Sequence, residues 1–248
     1  MKKWQILLFC FSFLLAQCSL LATSPKAPIS ELPTAEQIQP RTLGAKWKSD
    51  AFFVQGLLTA RMGVTTEEVI ATKVIDGVTC YQIEITNDYR TAEQRAANEP
   101  MESGSVTYFW EYHNRNGSYD FSDYDTIDKS ISPKSLDEFN LTLPYPVKSG
   151  FRYQSSSGKD WKILSTGAKV KTSIGVYECV VYQLTEMDAE NPEDSSRFRF
   201  YMTPGVGLVA FEWDEYINGR FSTWLREVLV GFDLNEAETT SKTSEKPE

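Results

Sequence analysis

The sequence predicts a mainly β domain of about ten or eleven strands, joined as antiparallel hairpins, with one or two short helices. Three observations predict it. Asp76-Gly77, Asn116-Gly117 and Asn218-Gly219 each lie between two β-rich runs, and Asp-Gly or Asn-Gly in that setting is the strongest short-range hairpin signal. Aromatic residues make up 13% of the 248 residues; Phe109, Tyr177, Phe200 and Trp224 fall inside these runs, where they supply large buried area. Helical periodicity is scarce.

In chain order, 68–75 and 78–85 flank Asp76-Gly77, and 105–113 and 118–124 flank Asn116-Gly117. Runs 151–156 and 160–165 flank Gly158, and 168–173 and 176–184 flank Gly175. Run 197–202 stands alone, and 206–216 and 220–232 close around Asn218-Gly219. Two segments read as helix. Residues 91–99 pair good helix formers with a capping box begun by Thr91. Residues 132–139 offer Ser132 as N-cap and Pro133 in the first turn. Gly77, Gly117, Gly205, Gly207 and Gly219 are the expected turn glycines, where the backbone needs positive φ or close approach. Pro204-Gly205-Val206-Gly207 is followed by a β run, so it is a turn and not a nucleotide loop, which needs a helix after it and a third glycine.

Around this domain, 45–234, lie three attachments. Residues 1–17 read as a secretory leader. Lys2 and Lys3 precede an uncharged run from Trp4 to Ala16, which fits an h-region and is too short to span a bilayer. Residues 18–44 form a spacer: 24–40 hold four prolines and no strand alternation, the behaviour of an extended, solvated segment. Residues 235–248 are polar and acidic, without aromatics, and are expected to be disordered. The sequence around Cys18 resembles a bacterial lipobox. Leu15 and Ala16 match its usual choices, and Gln17 departs from the small residue it prefers. The resemblance implies acylation of Cys18, with Ser19 leaning toward the outer membrane. Cleavage near Ala16–Cys18 or Ala22 by general signal peptidase, leaving a soluble secreted or periplasmic protein, is the alternative.

The formal net charge is −9, and the leader carries two lysines away. An acidic surface repels phosphates, which excludes a nucleic-acid partner, and it argues against broad electrostatic attachment to anionic lipid. Membrane contact is expected through the N-terminal lipid.

Residues 73–85 and 171–184 share a lysine, a Gly-Val turn and a cysteine opening an apolar strand, and each returns as an aromatic strand after a polar excursion. These read as two copies of one module, or as two hairpins alike by chance. On the duplicated reading Cys80 and Cys179 lie about five strands apart, roughly 24 Å along an open sheet, too far for a disulfide. The stretches LPYPVKSGFRYQ (143–154), KTSIGVYECVVYQL and FYMTPGVGLVAFEW (200–213) resemble TapB-like envelope domains, over residues 143–213. GVGLV is the most specific part; Phe151 and Tyr153 depart from the tryptophan common in the first motif. That group is similar to the LolA/LolB-type half-barrel, so the resemblance implies a curved antiparallel sheet around one or two helices, with acyl chains or partners held on the concave face.

Candidate chemistry is thin. His113, the one histidine, stands at a hairpin end and is expected to be solvated; a Ser–His–Asp or Cys–His site would have to use it. Cys80 and Cys179 read as small buried residues. Asp120, Asp123, Asp125 and Asp128 could ligate Ca²⁺, but the EF-hand spacing and distal Glu are missing. On a strand, Asp123 and Asp125 would share one face and Asp120 and Asp128 the other; a solvated strand end and loop is the expected reading. No cofactor or catalytic residue is expected. The expectation is a non-enzymatic envelope lipoprotein binding a lipid, lipoprotein or protein partner. The alternatives are a surface-exposed adhesin or antigen-like lipoprotein and an envelope hydrolase using acidic residues.

Overall fold

Why the chain makes hairpins rather than helices is clearest at its turns. Asp76 and Gly77 have φ of 49° and 81°, and Asn218 and Gly219 have 52° and 78°. Two consecutive residues at positive φ make the turn whose twist matches paired strands. The computed structural model describes residues 40–101, 105–121, 128–145, 147–155, 158–187, 191 and 195–234. Its strands are β1 (Lys46–Gln55), β2 (Leu58–Ile75), β3 (Val78–Asp88), β4 (Val106–Asn114), β5 (Gly117–Phe121), β6 (Asn140–Pro144), β7 (Arg152–Gln154), β8 (Asp160–Lys171), β9 (Val176–Glu186), β10 (Ser196–Thr203), β11 (Gly207–Ile217) and β12 (Arg220–Asp233).

They form one 12-stranded sheet in the order β6-β5-β4-β3-β2-β1-β12-β11-β10-β9-β8-β7. Neighbouring strands pair antiparallel throughout, and the first and last strands are joined by β1 against β12, from Lys46↔Asp233 to Phe53↔Leu225. The edges β6 and β7 are therefore consecutive in sequence yet at opposite ends of the ladder. The sheet curls to bring them together. Tyr153 on β7 donates from its phenol to the Thr142 carbonyl on β6. Tyr182 on β9 donates to the Pro144 carbonyl at 3.0 Å.

The sheet is the expected curved antiparallel one, with twelve strands instead of ten or eleven. The reading missed β1, whose opening KWKSD hides its alternation behind charges, and β6, five residues ending in proline. It also divided β8, which runs unbroken through Gly167 because bulges at Ile163/Ser165 and Ser165/Ala168 absorb the irregular part. Two helical expectations shrink. α1 is Ala92–Ala96, with the Thr91–Gln94 capping box in place. In 132–139 only a 3-10 turn forms, Leu136–Glu138, and its cap is Ser135, not Ser132.

Residues opposite each other in an antiparallel ladder share a face. Ile163, Tyr182, Phe200, Phe211, Glu227 and Ala51 are successive partners across β8 to β1. Because Tyr182 reaches β6 from this face, it is the inner one. Buried Tyr145, Trp161, Ile163, Val180, Tyr182, Leu184 and Met202 form one cluster; Trp47, Val69, Ile83, Val209 and Leu229 belong to a second. A third lies on the outer face of β2–β5, where Cys80, Trp110 and Tyr112 are covered by the 128–139 connection through Phe139. Trp110 Nε1 donates to the Ile131 carbonyl (3.0 Å) and Gln82 Nε2 to that of Lys129 (2.8 Å).

Candidate functional site: the inner face of the sheet

The inner face has a polar part and an aromatic part. The polar part begins with Arg41, just before β1, whose guanidinium enters the curl. Arg41 Nη2 lies 2.5 Å from Glu67 Oε1, and Nε forms an ion pair with Glu111. The Arg41 guanidinium carbon sits 4.5 Å over the Trp47 ring. Glu67 is on the inner face opposite Trp47, and Glu111 is opposite Tyr81. His113, two residues on from Glu111, therefore faces inward too, with Nε2 3.3 Å from Glu111 Oε1. Burial by itself would push the Glu111 carboxyl up; Arg41 and then His113 outweigh it and hold the carboxyl below its ordinary range. Glu227, 2.8 Å from the Thr65 hydroxyl, has no such cation, and burial pushes its carboxyl up.

The aromatic part lies along β7–β8 and β10–β1. Trp161, Leu184, Phe198, Trp213, Leu225 and Phe53 are successive partners on the inner face. Ring centroids step from Tyr153 to Trp161 (5.9 Å), to Phe200 (5.6 Å), to Phe211 (5.2 Å), to Phe198 (6.2 Å), to Trp213 (5.7 Å), to Trp224 (5.1 Å) and to Phe53 (5.9 Å). Those are the separations of interacting aromatic pairs. Trp161 is buried and the rest are half-buried. A hollow of about 810 Å³ at the β7–β8–β9 edge is lined mainly from the outer face, by Arg152, Lys162 and Gln183, and also touches Tyr153 and Trp161.

The outer face opposite the aromatic row is ionic. Arg197 and Arg199 both reach Asp214, at 2.6 and 2.8 Å, and Arg199 also meets Glu212 at 3.0 Å. Asp214 is fully buried beneath them. These pairs fix β10 against β11 and present no free carboxylate.

The positions singled out in the sequence fall as follows. Cys18, Asp123 and Asp125 lie outside the described residues. Asp120 is buried on β5 and shares the inner face with its partner Glu111. Asp128 lies after the described end of β5 at Phe121, exposed, accepting from the Ser130 amide at 2.8 Å. Asp120 and Asp128 therefore do not share a strand face, and Asp120 is not solvated: the curl covers it. His113 is likewise buried, because β4 carries it into the Arg41 cluster. Gly205 and Gly207 have φ of 78° and 91° in the β10–β11 turn. Gly117 has φ of 153°, and a Cβ there would stand 2.5 Å from the Leu143 carbonyl oxygen. Cys80 and Cys179 are free and buried. Among the described residues, no group of three or more His, Cys, Asp or Glu is placed to hold a metal. Arg41 and Glu111 were missed, since nothing local marks them. The aromatic row did leave a signal, in the alternations Phe198-x-Phe200 and Phe211-x-Trp213.

No known protein family and no curated protein matches this chain. Two solved structures are similar to it. A candidate exported protein with a YmcC-like fold from Bacteroides fragilis is 13% identical, with a TM-score of 0.47, over 78% of this chain and 97% of that one. A candidate lipoprotein from Parabacteroides distasonis is 15% identical, with a TM-score of 0.44, over 78% of this chain and 97% of that one.

Proposed function

We propose that this chain is an exported, non-enzymatic lipoprotein of the bacterial cell envelope, anchored to the outer membrane through Cys18, whose inner sheet face binds the acyl chain of a lipid or lipoprotein. One observation carries the binding reading: the run of half-buried rings from Tyr153 to Phe53 on the inner face. The rings pack on one another and on the core yet keep part of their surface open, which gives the inner face an apolar lining of the kind that ligand sites use. The leader, Cys18 and the Pro-rich spacer support export and anchoring, and the resemblance to LolA/LolB-type half-barrels supports the acyl class of ligand. The non-catalytic reading is supported by the polar part, where Arg41 is ion-paired to both Glu67 and Glu111 and so engages the two carboxylates within the fold.

The test is organic extraction of the purified protein with mass spectrometry of the extract, and titration with a fluorescent long-chain fatty acid. Co-purifying acyl species and saturable binding that Trp213→Ala and Phe200→Ala weaken are expected. A clean extract together with no saturable binding would remove the acyl reading.

A further inference from the structure

Glu227 is the one charged residue in its row of the inner face. Its register partners are Phe211 on β11 and Ala51 on β1, and across from Ala51 lies Gly63 on β2. Two residues to either side along β12 are Leu225 and Leu229, both buried. Ala51 and Gly63 have too little side chain to hold the carboxyl off, so it leans across β1 and accepts from the Thr65 hydroxyl at 2.8 Å. That hydroxyl has one proton and also faces Asn87 Oδ1 at 3.0 Å, so it serves one of the two at a time.

Gly63 shapes the site from the other side as well. A Cβ there would stand 2.2 Å from the Asp88 carbonyl oxygen and 2.7 Å from Tyr89 Cα, so the chain leaving β3 lies directly on this glycine. Tyr89 is thereby laid over the gap, 40% exposed. Burial, and then the neighbouring Glu227 charge, pushes its phenol up, with Thr65 acting against them.

The fold supplies Glu227 with no counter-ion. Arg41 holds Glu67 at 2.5 Å, Arg90 holds Asp88 at 2.9 Å, and Arg226, next in the chain, meets Glu212 at 3.5 Å on the outer face. Burial pushes the Glu227 carboxyl up, and Glu67 adds to it. Rings surround this carboxyl instead. Phe211 is its partner, and Trp213 and Phe53 lie two residues further along the flanking strands. Trp224 is 5.1 Å from Trp213 and 5.9 Å from Phe53. All four rings are half-buried. A carboxylate among partly open aromatic faces attracts an ammonium group through its charge and through the ring quadrupoles together. An anionic head would meet Glu227 and Glu67 as like charges.

We infer that the acyl ligand of the inner face ends in an ammonium head, held on Glu227 among Phe211, Trp213 and Phe53, with its chain along the rings toward Trp161. The inference rests on the acyl-binding reading above and names the head that goes with the chain. Thr65 orients the carboxyl, and Tyr89 closes over it.

The test is titration of the full chain at pH 7 with decylamine, decanol and decanoate, followed by tryptophan fluorescence. Decylamine is expected to bind about tenfold more tightly than decanol, and decanoate more weakly than either. Glu227→Gln should bring decylamine to the affinity of decanol and leave decanol itself unchanged. Should Glu227→Gln also lose decanol, Glu227→Asp decides: a retained preference for the amine supports the ion pair, and equal binding of amine and alcohol overturns it. Wild type without an amine preference, or a preference that survives Glu227→Gln, overturns the head assignment and leaves the acyl reading standing. No saturable binding of any of the three overturns both.

Discussion

The Tyr182 phenol lies 3.0 Å from the Pro144 carbonyl oxygen, although β9 is tenth and β6 first in the strand order. Flat, those strands would be about 43 Å apart at the usual spacing, so this contact measures the curl. Tyr182→Phe deletes one hydrogen bond and is expected to cost about 0.5–1.5 kcal/mol. Tyr182→Ala also opens a cavity beside Trp161 and Ile163 and is expected to cost about 3–5 kcal/mol. Urea unfolding midpoints check both, and equal midpoints for wild type and Tyr182→Ala would mean the edges do not meet.

The Arg41–Glu111 pair makes stability depend on acid. Glu111 is held below its ordinary 4.5, so the folded state releases that proton more readily than the unfolded chain. Its contribution is present above about pH 4.5 and is lost as the pH falls below it. Glu111→Gln leaves a buried guanidinium short of a partner and is expected to cost about 3–5 kcal/mol at neutral pH. Melting from pH 7 to pH 3 should destabilise wild type more than the variant. Glu227 works in the opposite sense: burial raises its carboxyl, so its contribution is lost as the pH rises above 4.5, and Glu227→Gln should be neutral or stabilising at pH 7. A Glu227→Gln variant that melts well below wild type at pH 7 would contradict this.

Most of the sheet was legible because hairpins are local. Asp76-Gly77 and Asn218-Gly219 set their registers within a few residues, and the face that each side chain occupies follows from alternation. What was illegible is long-range. The β1–β12 pairing joins residues from opposite ends of the domain, and no local pattern specifies it. His113 reads as a polar residue at a turn until the curl lays Arg41 over its neighbour Glu111. Asp120 reads as solvent-facing for the same reason. The aromatic row was visible strand by strand, in Phe198, Phe200, Phe211 and Trp213, but only the strand order makes it continuous.

Cys80 on β3 and Cys179 on β9 occupy the fourth and tenth places in the strand order, and each is free and buried. Burial pushes both thiols up, which slows thiolate chemistry. Intact mass after alkylation without reductant should show both blocked in denaturant and neither blocked quickly in the native protein. A mass two hydrogens lower that alkylates only after reduction would contradict the separation of the two strands.

Gly117 opens β5 directly after the Arg115-Asn116 turn, one residue later than an Asn116-Gly117 turn would place it, and Gly219 sits in the β11–β12 turn; the two should respond differently to the same change. Gly219 has φ of 78° with open space where a Cβ would go, so Gly219→Ala carries only the backbone strain of that conformation, about 1 kcal/mol. At Gly117 a Cβ would stand 2.5 Å from the Leu143 carbonyl oxygen, 2.7 Å from Leu141 Cδ1 and 2.9 Å from Pro144 Cα. Two of those three atoms are backbone of β6, which pairs with β5 through Gly117↔Pro144. The backbone cannot yield as a side chain can, so β6 must move away and take the Pro144 carbonyl out of reach of Tyr182. Gly117→Ala is therefore expected to cost about 2–4 kcal/mol. In the Gly117→Ala background, Tyr182→Phe should then add almost nothing, because the bond it deletes is already broken. A double-mutant cycle measures this; additive losses would show that β6 keeps its place without Gly117, and that close approach is not what this glycine provides.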